Sequence, residues 1–373
     1  MSLRIAIVGC GKIADGHIEE IRKIPHLAEV VAVCDLEPLM AEQIATRFAI
    51  PAHYADFDEL LEKENPDVVH VTTPPGSHLH LATRALDAGC HVYVEKPLTL
   101  NYPDSCSLVS QAVAANRKLT VGHTYLFDPP ALAMRELIED GVLGEPVHVE
   151  SFYGYNLAGQ FGSALMSDPN HWVHQLPGKL FQNNIDHLLN KLVEFLPDEK
   201  PKMSAFGSIR RNKRYGDIRD DMLDELRVTI HGEKVSAYAT FSSHIVPAGH
   251  SCTVYGTKQT IHTDYLARTV TLAETTSLPS AVGRLVPAFG QAAQFAKQGA
   301  KNLRRFAKSD FHFFAGLNHL LRLFYESIAN GTEEPIPHRD ILRIAWMLDE
   351  VFAQAPQGTQ TRELPSGPIE ARA

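Results

Sequence analysis

The amino-acid sequence predicts two domains of different class. Residues 1–122 read as a doubly wound α/β domain around a parallel sheet, and residues 123–373 as an α+β domain on a mostly antiparallel sheet. Three observations carry this prediction. Strand-like apolar runs alternate with helical stretches through the first third, the pattern of successive βαβ units. After about residue 123, strand runs follow one another across short turns such as His231-Gly232-Glu233-Lys234, the pattern of antiparallel pairing. The length of 373 residues fits two domains at roughly 150 residues each.

The first run, 3–8 (LRIAIV), is β-branched, apolar, and stops at Gly9-Cys10-Gly11. Residues 13–24 follow with helical spacing, and 29–34 (EVVAVC) form a second buried strand. Helices over 38–48 and near 56–63 precede a strand at 67–72 (DVVHVT). Helix 77–88, strand 91–94 (HVYV), helix 103–115 and strand 118–122 complete the series. Right-handed crossovers bring the carboxyl ends of these strands to one edge, where ligands bind. In the second half, 146–155, 225–231, 235–241, 253–255 and 269–272 read as strands. Helices near 313–330 and 339–353 are expected to pack back on the first domain.

Composition narrows the function classes. Apolar residues make up 44% and charged residues 21%, an ordinary globular balance. The 35 basic and 44 acidic residues give a net charge of −9, which argues against nucleic acid as the main partner. Five cysteines form no CxxC pair, no run is long enough to span a bilayer, and Arg4 interrupts the N-terminal run. The expectation is a soluble, cytoplasmic protein. Its 19 histidines are the one unexplained count.

Four features fall on the strand-end edge. Gly9-x-Gly11-x-x-Ala14 lies between strand and helix as a dinucleotide fingerprint requires, with Lys12 and Ile13 opening the helix whose N-terminus faces a pyrophosphate. Asp35 ends the second strand 21 residues after Ala14, near the ~20 expected of a carboxylate that binds the adenosine ribose. A carboxylate there repels a 2′-phosphate, and no Arg or Lys lies between Asp35 and Glu42, so NAD is favoured over NADP. The loop Thr72-Thr73-Pro74-Pro75-Gly76-Ser77-His78 is stiffened by its prolines, and Ser77 can cap the next helix. Glu95-Lys96-Pro97 follows the strand HVYV, where a lysine can bind or protonate a reacting oxygen; a surface ion pair with Glu95 is the plainer alternative.

These residues, with Ala88-Gly89-Cys90-His91-Val92-Tyr93-Val94 before Glu95 and a later histidine-bearing helix, resemble the glucose–fructose oxidoreductase / inositol dehydrogenase (Gfo/Idh/MocA) family. The resemblance is dense over residues 1–122. It implies a Rossmann domain followed by an open, mostly antiparallel sheet, and NAD(P)-linked oxidation or reduction of sugars, cyclitols or sugar nucleotides. It also implies cofactor contacts from the glycine loop, Asp35, Thr72–Pro75, His78, Glu95, Lys96 and His123. Lys96 would lie near the reacting carbon, with a histidine supplied by the second domain.

The segment from Pro177 to Asn190 is similar to the family pattern Gly-Gly-x-x-x-Asp-x-Gly-x-His-x-x-Asp. His187 matches the catalytic histidine. Lys179, Asn183, Ile185 and Asn190 depart from the pattern, and Asn183 stands where an aspartate is usual. A carboxylate beside an imidazole stabilises the imidazolium, whereas Asn183 orients the ring without adding charge. Tyr125, where relatives often carry Arg, either donates to substrate or packs. Positions 183, 187, 190 and 194 share one face of a single expected helix. The loop 168–174 reads as a substrate lip. His171 and His174 lack a third ligand at metal spacing, so no metal site is expected.

Residues 282–308 form a basic amphipathic helix, with Leu285, Phe289, Ala292, Ala296, Leu303 and Ala307 on one stripe and Lys297, Lys301, Arg304 and Lys308 flanking it. A lid, a subunit contact and a membrane-surface patch are all open, but the expected arrangement is a packed helix with a solvated basic edge. The resulting expectation is an NAD-dependent oxidoreductase acting on a polyol or sugar-like substrate as a homodimer or homotetramer. Lys96, His187, Asn183 and Tyr125 would carry the chemistry. Two rivals stand beside it: a redox-neutral enzyme that oxidises transiently to cleave or eliminate a group, and a non-catalytic NAD(H)-binding regulator.

Overall fold

The computed structural model describes residues 2–355 apart from 160, 161, 163, 164, 166, 167, 169, 170, 211–213, 216, 217, 220, 221, 275, 277, 308–310 and 313. Pro169 and Asn170 of the expected lip, and Lys308, lie outside the described residues.

β1 (Leu3–Val8), α1 (Lys12–Arg22), β2 (Ala28–Cys34), α2 (Pro38–Arg47), β3 (Ala52–Tyr54), α3 (Phe57–Glu64) and β4 (Val68–Val71) open the chain. After a 3-10 turn come α4 (His78–Asp87), β5 (His91–Val94), α5 (Tyr102–Ala114) and β6 (Leu119–Val121). The six strands form one parallel sheet in the order β3-β2-β1-β4-β5-β6. Helices cover both faces, so β4 and the inner part of β1 are buried throughout and read as continuous apolar runs. Asp56 accepts a hydrogen bond from the Glu59 N–H (2.8 Å) to start α3, and Asn101 accepts one from Asp104 (2.9 Å) to start α5. The edge strand β3 escaped the sequence reading because it has only three residues, none of them fully buried.

The second domain adds α6 (Pro129–Glu139), β7 (Pro146–Asn156), α7 (Lys179–Asn184), α8 (Asp186–Val193) and β8 (Lys202–Ser208). A ribbon of β9 (Arg214–Tyr215) and β10 (Ile218–Arg219) precedes β11 (Glu225–His231), β12 (Ser236–Ser242), β13 (His244–Gly256), β14 (Thr260–Asp264) and β15 (Thr269–Leu272). Seven of these strands form a sheet in the order β15-β14-β13-β7-β12-β11-β8, antiparallel except where β7 meets β12. Alternate residues Val228, Ile230, Ala237, Ala239, Phe241, Cys252 and Val254 point inward against α7 and α8. The sequence reading missed β8 and β14 and saw only the end of β13. β8 (KMSAFGS) has no run of large inward residues, and it points Phe206 outward.

The last elements of the described residues are α9 (Ser280–Ala307), α10 (Ala315–Asn330) and α11 (His338–Gln354). Leu317, Leu320, Leu321, Phe324 and Tyr325 of α10 are buried in the core of the parallel sheet, so the chain does return to its first domain. α11 joins the two cores, with Ile341 in the first and Ile344, Met347, Leu348 and Val351 in the second.

Two expectations are corrected here. Residues 179–193 are not the single expected helix: a turn at Ile185 divides α7 from α8, and Asn190 is fully buried. The apolar stripe of α9 is not packed; Leu285, Phe289 and Leu303 are exposed. The cause is the sheet edge. β15 leaves backbone N–H and C=O groups unpaired by any strand, and polar side chains of α9 satisfy them. Gln294 accepts from the Leu272 N–H (2.8 Å) and donates to its carbonyl (3.1 Å), Gln298 donates to Val270 (2.8 Å), and Asn302 donates to Ala267 (2.9 Å).

Candidate active site

The strand order reverses between β1 and β4, and the loops leaving these strands touch there. Gly9 has a φ of +100°, and a Cβ on it would lie 2.7 Å from the Thr73 nitrogen, so both the turn and the close approach require glycine. Thr72 Oγ1 ties the two loops by donating to the carbonyls of Gly9 (2.7 Å) and Val8 (3.0 Å). Over Gly11 the space is open: a Cβ would meet nothing within 4 Å, and no side chain caps α1. An uncapped helix N-terminus beneath such an opening suits a pyrophosphate, with Lys12, Ile13 and Ala14 in its first turn. Asp35 lies beside it, one oxygen accepting from the Cys10 N–H (2.7 Å) and the other from Glu37 (2.9 Å). Each oxygen keeps acceptor capacity for a ribose hydroxyl. Arg47, the first cation after Asp35, is paired with Asp15. These residues fit a bound NAD.

The loop after β4 differs from expectation at Ser77. Its hydroxyl donates to Thr73 Oγ1 (2.7 Å) and the Pro74 carbonyl (3.0 Å) rather than capping α4, because the 3-10 turn Pro75–Ser77 comes first. The buried His78 ring lies between the carbonyls of Pro97 (2.9 Å) and Thr73 (2.8 Å), and so joins this loop to the one carrying Lys96. Burial pushes its pKa down.

Lys96 leaves the end of β5 and crosses to the second domain. Its Nζ donates to the backbone carbonyl of Asn183 (2.9 Å) and to the side-chain Oδ1 (3.3 Å). Asn183 therefore holds Lys96 and does not orient His187 as expected, since the turn at Ile185 puts the two residues on different helices. Burial lowers the Lys96 pKa, with the charges of Glu95 and Asp186 opposing it. Glu95 is the end of a buried chain. His17 Nε2 lies 3.1 Å from its Oε1, His17 Nδ1 lies 2.8 Å from His70 Nδ1, and His70 Nε2 lies 2.8 Å from the Tyr325 hydroxyl. Burial alone would raise the Glu95 carboxyl, but the His17 hydrogen bond and Lys96 outweigh it and the net shift is downward.

His187 stands on α8 facing the ring edges of Tyr125 (centroids 4.9 Å) and Tyr153 (5.8 Å). Its Nδ1 is buried with no hydrogen-bond partner among the described residues. Burial, then Lys96, Lys191 and His123, hold its pKa well below the ordinary value. His123, expected at the cofactor, is paired with Asp186 at 3.0 Å. On the lip, His171 Nδ1 accepts from the Val173 N–H (3.3 Å) and His174 lies 3.0 Å from the Leu165 carbonyl.

The sequence reading passed over Asp186, Lys191, His250, Tyr153 and Tyr265. Lys191 lies one turn beyond His187, fully buried; its Nζ is 5.2 Å from the Tyr265 ring centre and has no hydrogen-bond partner among the described residues. Burial pushes its pKa down to about 7. His250 of β13 is stacked on Tyr265 (4.7 Å) and lies edge-on to Tyr125 (4.3 Å). The i, i+4 spacing of His187 and Lys191 was a readable signal for a shared face; His250, a single histidine on a distant strand, had none.

A doubly wound edge shaped for a dinucleotide, with a second domain that brings a helix-borne histidine towards a strand-end lysine, defines a two-domain dinucleotide-binding protein. Residues 3–123 match the model described as "Oxidoreductase family, NAD-binding Rossmann fold", and residues 131–262 match the GFO/IDH/MocA C-terminal domain. The chain belongs to the Gfo/Idh/MocA family, and its first domain is an NAD-binding one.

It is 34% identical over 149 residues to the 1-carboxy-3-chloro-3,4-dihydroxycyclohexa-1,5-diene dehydrogenase of Comamonas testosteroni, covering 40% of this chain and 37% of that protein. It is 32% identical over 152 residues to an inositol 2-dehydrogenase of Salmonella typhimurium, covering 40% and 45%. The chain spans less than half the length of these two relatives. Over 95% of its length it superposes on levoglucosan dehydrogenase in complex with NADH and levoglucosan, with a TM-score of 0.77, 17% identity and 97% of that chain covered. This last likeness speaks for the fold.

Proposed function

We propose that the protein is an NAD-dependent oxidoreductase that moves a hydride between the cofactor and a carbinol or carbonyl carbon of a sugar, cyclitol or sugar nucleotide. The observation that carries this reading is the placement of Lys96, on the nucleotide edge, against the second-domain segment that presents His187. When bound, the nicotinamide accepts the hydride at C4. Lys96 Nζ donates to the substrate oxygen and favours its alkoxide. His187, kept neutral by its surroundings, takes the hydroxyl proton; in reduction it returns it. The carbon-bound hydrogen thus leaves with its electron pair as hydride, the O–H proton goes to His187, and a carbonyl remains. Asn183 holds Lys96 in place, Tyr125 borders the substrate, and Asp35 selects NAD over NADP.

The relatives named for inositol, a dihydroxycyclohexadiene and levoglucosan support a polyol or sugar-like substrate. We place the protein in the cytoplasm as a homodimer or homotetramer joined through the outer face of the second sheet. That face exposes Val147, Phe206, Tyr238 and Tyr255. The test is a dehydrogenase screen of sugars, cyclitols and sugar nucleotides with NAD and NADP. NAD-linked turnover that Lys96→Ala abolishes, with NADH binding intact, is expected. Co-purifying cofactor with no net absorbance change in turnover would replace this reading by the redox-neutral one. Lys96 and His187 substitutions that alter only partner binding would replace it by the regulator.

A further inference from the structure

The helix α9 is mounted inside out. Its half-buried positions are Gly283, Pro287, Gly290, Gln291, Gln294, Gln298, Asn302 and Arg305, without one large apolar side chain. The opposite side carries Leu285 (61% exposed), Phe289 (69%) and Leu303 (69%), with Val282 and Val286 beside them and Phe295 and Phe306 on one shoulder. Lys297, Lys301 and Arg304 form the other shoulder. Globular helices turn such a stripe to the core, as α10 does with Leu317, Leu320, Leu321 and Phe324. α9 is fixed in the reverse sense by the bonds of Gln294 and Gln298 to the β15 edge and of Asn302 to the turn before it. No side chain of the described residues buries its stripe, which is open to a partner.

We propose that α9 is a docking helix for an anionic membrane surface, lying flat with Phe289 and Leu303 in the headgroup layer. Charge selects this occupant. Over residues 280–307 the chain has five cations, Arg284, Lys297, Lys301, Arg304 and Arg305, and no acid, in a protein whose net charge is −9. A second copy pairing helix to helix in parallel would set these cations against their equals, and in antiparallel pairing they would meet no acid. A surface of anionic lipid complements them along a helix of 28 residues, about 42 Å long. Bulky apolar residues on one side with Lys and Arg beside them are the chemistry of interfacial helices, which bind by shallow apolar insertion plus attraction to anionic headgroups. No helix of the described residues is long and apolar enough to cross a membrane, so contact would be at the surface only.

The experiment is co-sedimentation of the full chain with vesicles of phosphatidylcholine alone or with about one-third phosphatidylglycerol. Binding to the anionic vesicles is expected, falling roughly ten-fold between about 0.05 M and 0.5 M salt. Leu303→Asp and the double variant Lys297→Glu, Lys301→Glu should each lose it while keeping the wild-type melting curve, since these side chains are exposed. Equal binding to both vesicle types, or binding that these variants retain, overturns the proposal. So does absence of vesicle binding together with a concentration-dependent dimer that Leu303→Asp dissolves; the stripe would then be a contact between copies.

Discussion

The two walls of the site are built on opposite terms. On the first-domain wall several polar side chains are spoken for: Thr72 and Ser77 bond to loop carbonyls, His78 bridges two loops, and Glu95 ends a chain of three further groups. The second-domain wall is aromatic, and buried polar atoms in it have no hydrogen-bond partner among the described residues, His187 Nδ1 and Lys191 Nζ being two of them. The contrast separates two tasks. A cofactor of fixed shape is met by a pre-organised surface, whereas the substrate wall keeps desolvated groups whose protonation responds to whatever arrives.

The sharpest way to break the contrast is to remove the group that joins the walls. Lys96→Met should lower kcat by about 10²–10⁴-fold with the affinity for NADH, read by fluorescence titration, nearly unchanged; a small loss would show that the chemistry rests on one wall alone. Gly9→Ala should cost roughly 2–4 kcal/mol in denaturant unfolding and weaken NADH binding, because a Cβ at φ +100° strains the turn and strikes the Thr73 backbone.

Lys191→Met should act in the other direction and stabilise. The lysine is held near 7 in the fold and titrates near 10.4 when unfolded, so the unfolded chain binds the extra proton between those values. Wild-type stability should therefore rise with pH from about 7 towards 10, and the variant should lose that slope while gaining roughly 2–4 kcal/mol at neutral pH. A parallel pH dependence in both proteins would return Lys191 to solvent. The smallest effect is expected from Asn183→Asp. A carboxylate beside Lys96 and near His187 favours the charged form of each, so both limbs of the kcat/KM profile against pH should move upward. An unmoved profile would separate position 183 from both groups.

The same contrast decided what could be read in advance. The nucleotide wall was legible because its residues are contiguous with the strands that place them: Gly9, Asp35, Thr73 and Lys96 each follow a run whose end is fixed by its apolar length. The substrate wall is gathered from Tyr125, His187, Lys191, His250 and Tyr265, which lie on four separate segments, and nothing local relates them. The break at Ile185 was hidden too, since periodicity continues through it while hydrogen bonding does not. α9 shows a subtler limit. Its periodicity correctly announced an amphipathic helix, but period alone does not tell which side faces the protein; the unpaired edge of β15 decided that.

The buried chain from Tyr325 to Glu95 also imposes a proton order. A neutral imidazole has one N–H, and the short contact between the two Nδ1 atoms needs one donor and one acceptor. If both rings are neutral and Glu95 is ionised, only one arrangement satisfies all three contacts. Tyr325 donates to His70 Nε2, His70 Nδ1–H to His17 Nδ1, and His17 Nε2–H to the carboxylate. One added proton on His17 reverses the His17–His70 and His70–Tyr325 bonds together and leaves the bond to Glu95 as it was, so that His70 changes tautomer and the tyrosine hydroxyl becomes the acceptor. Charge beside Lys96 is thereby written into the orientation of a hydroxyl on α10, in the core of the first domain and three hydrogen bonds away.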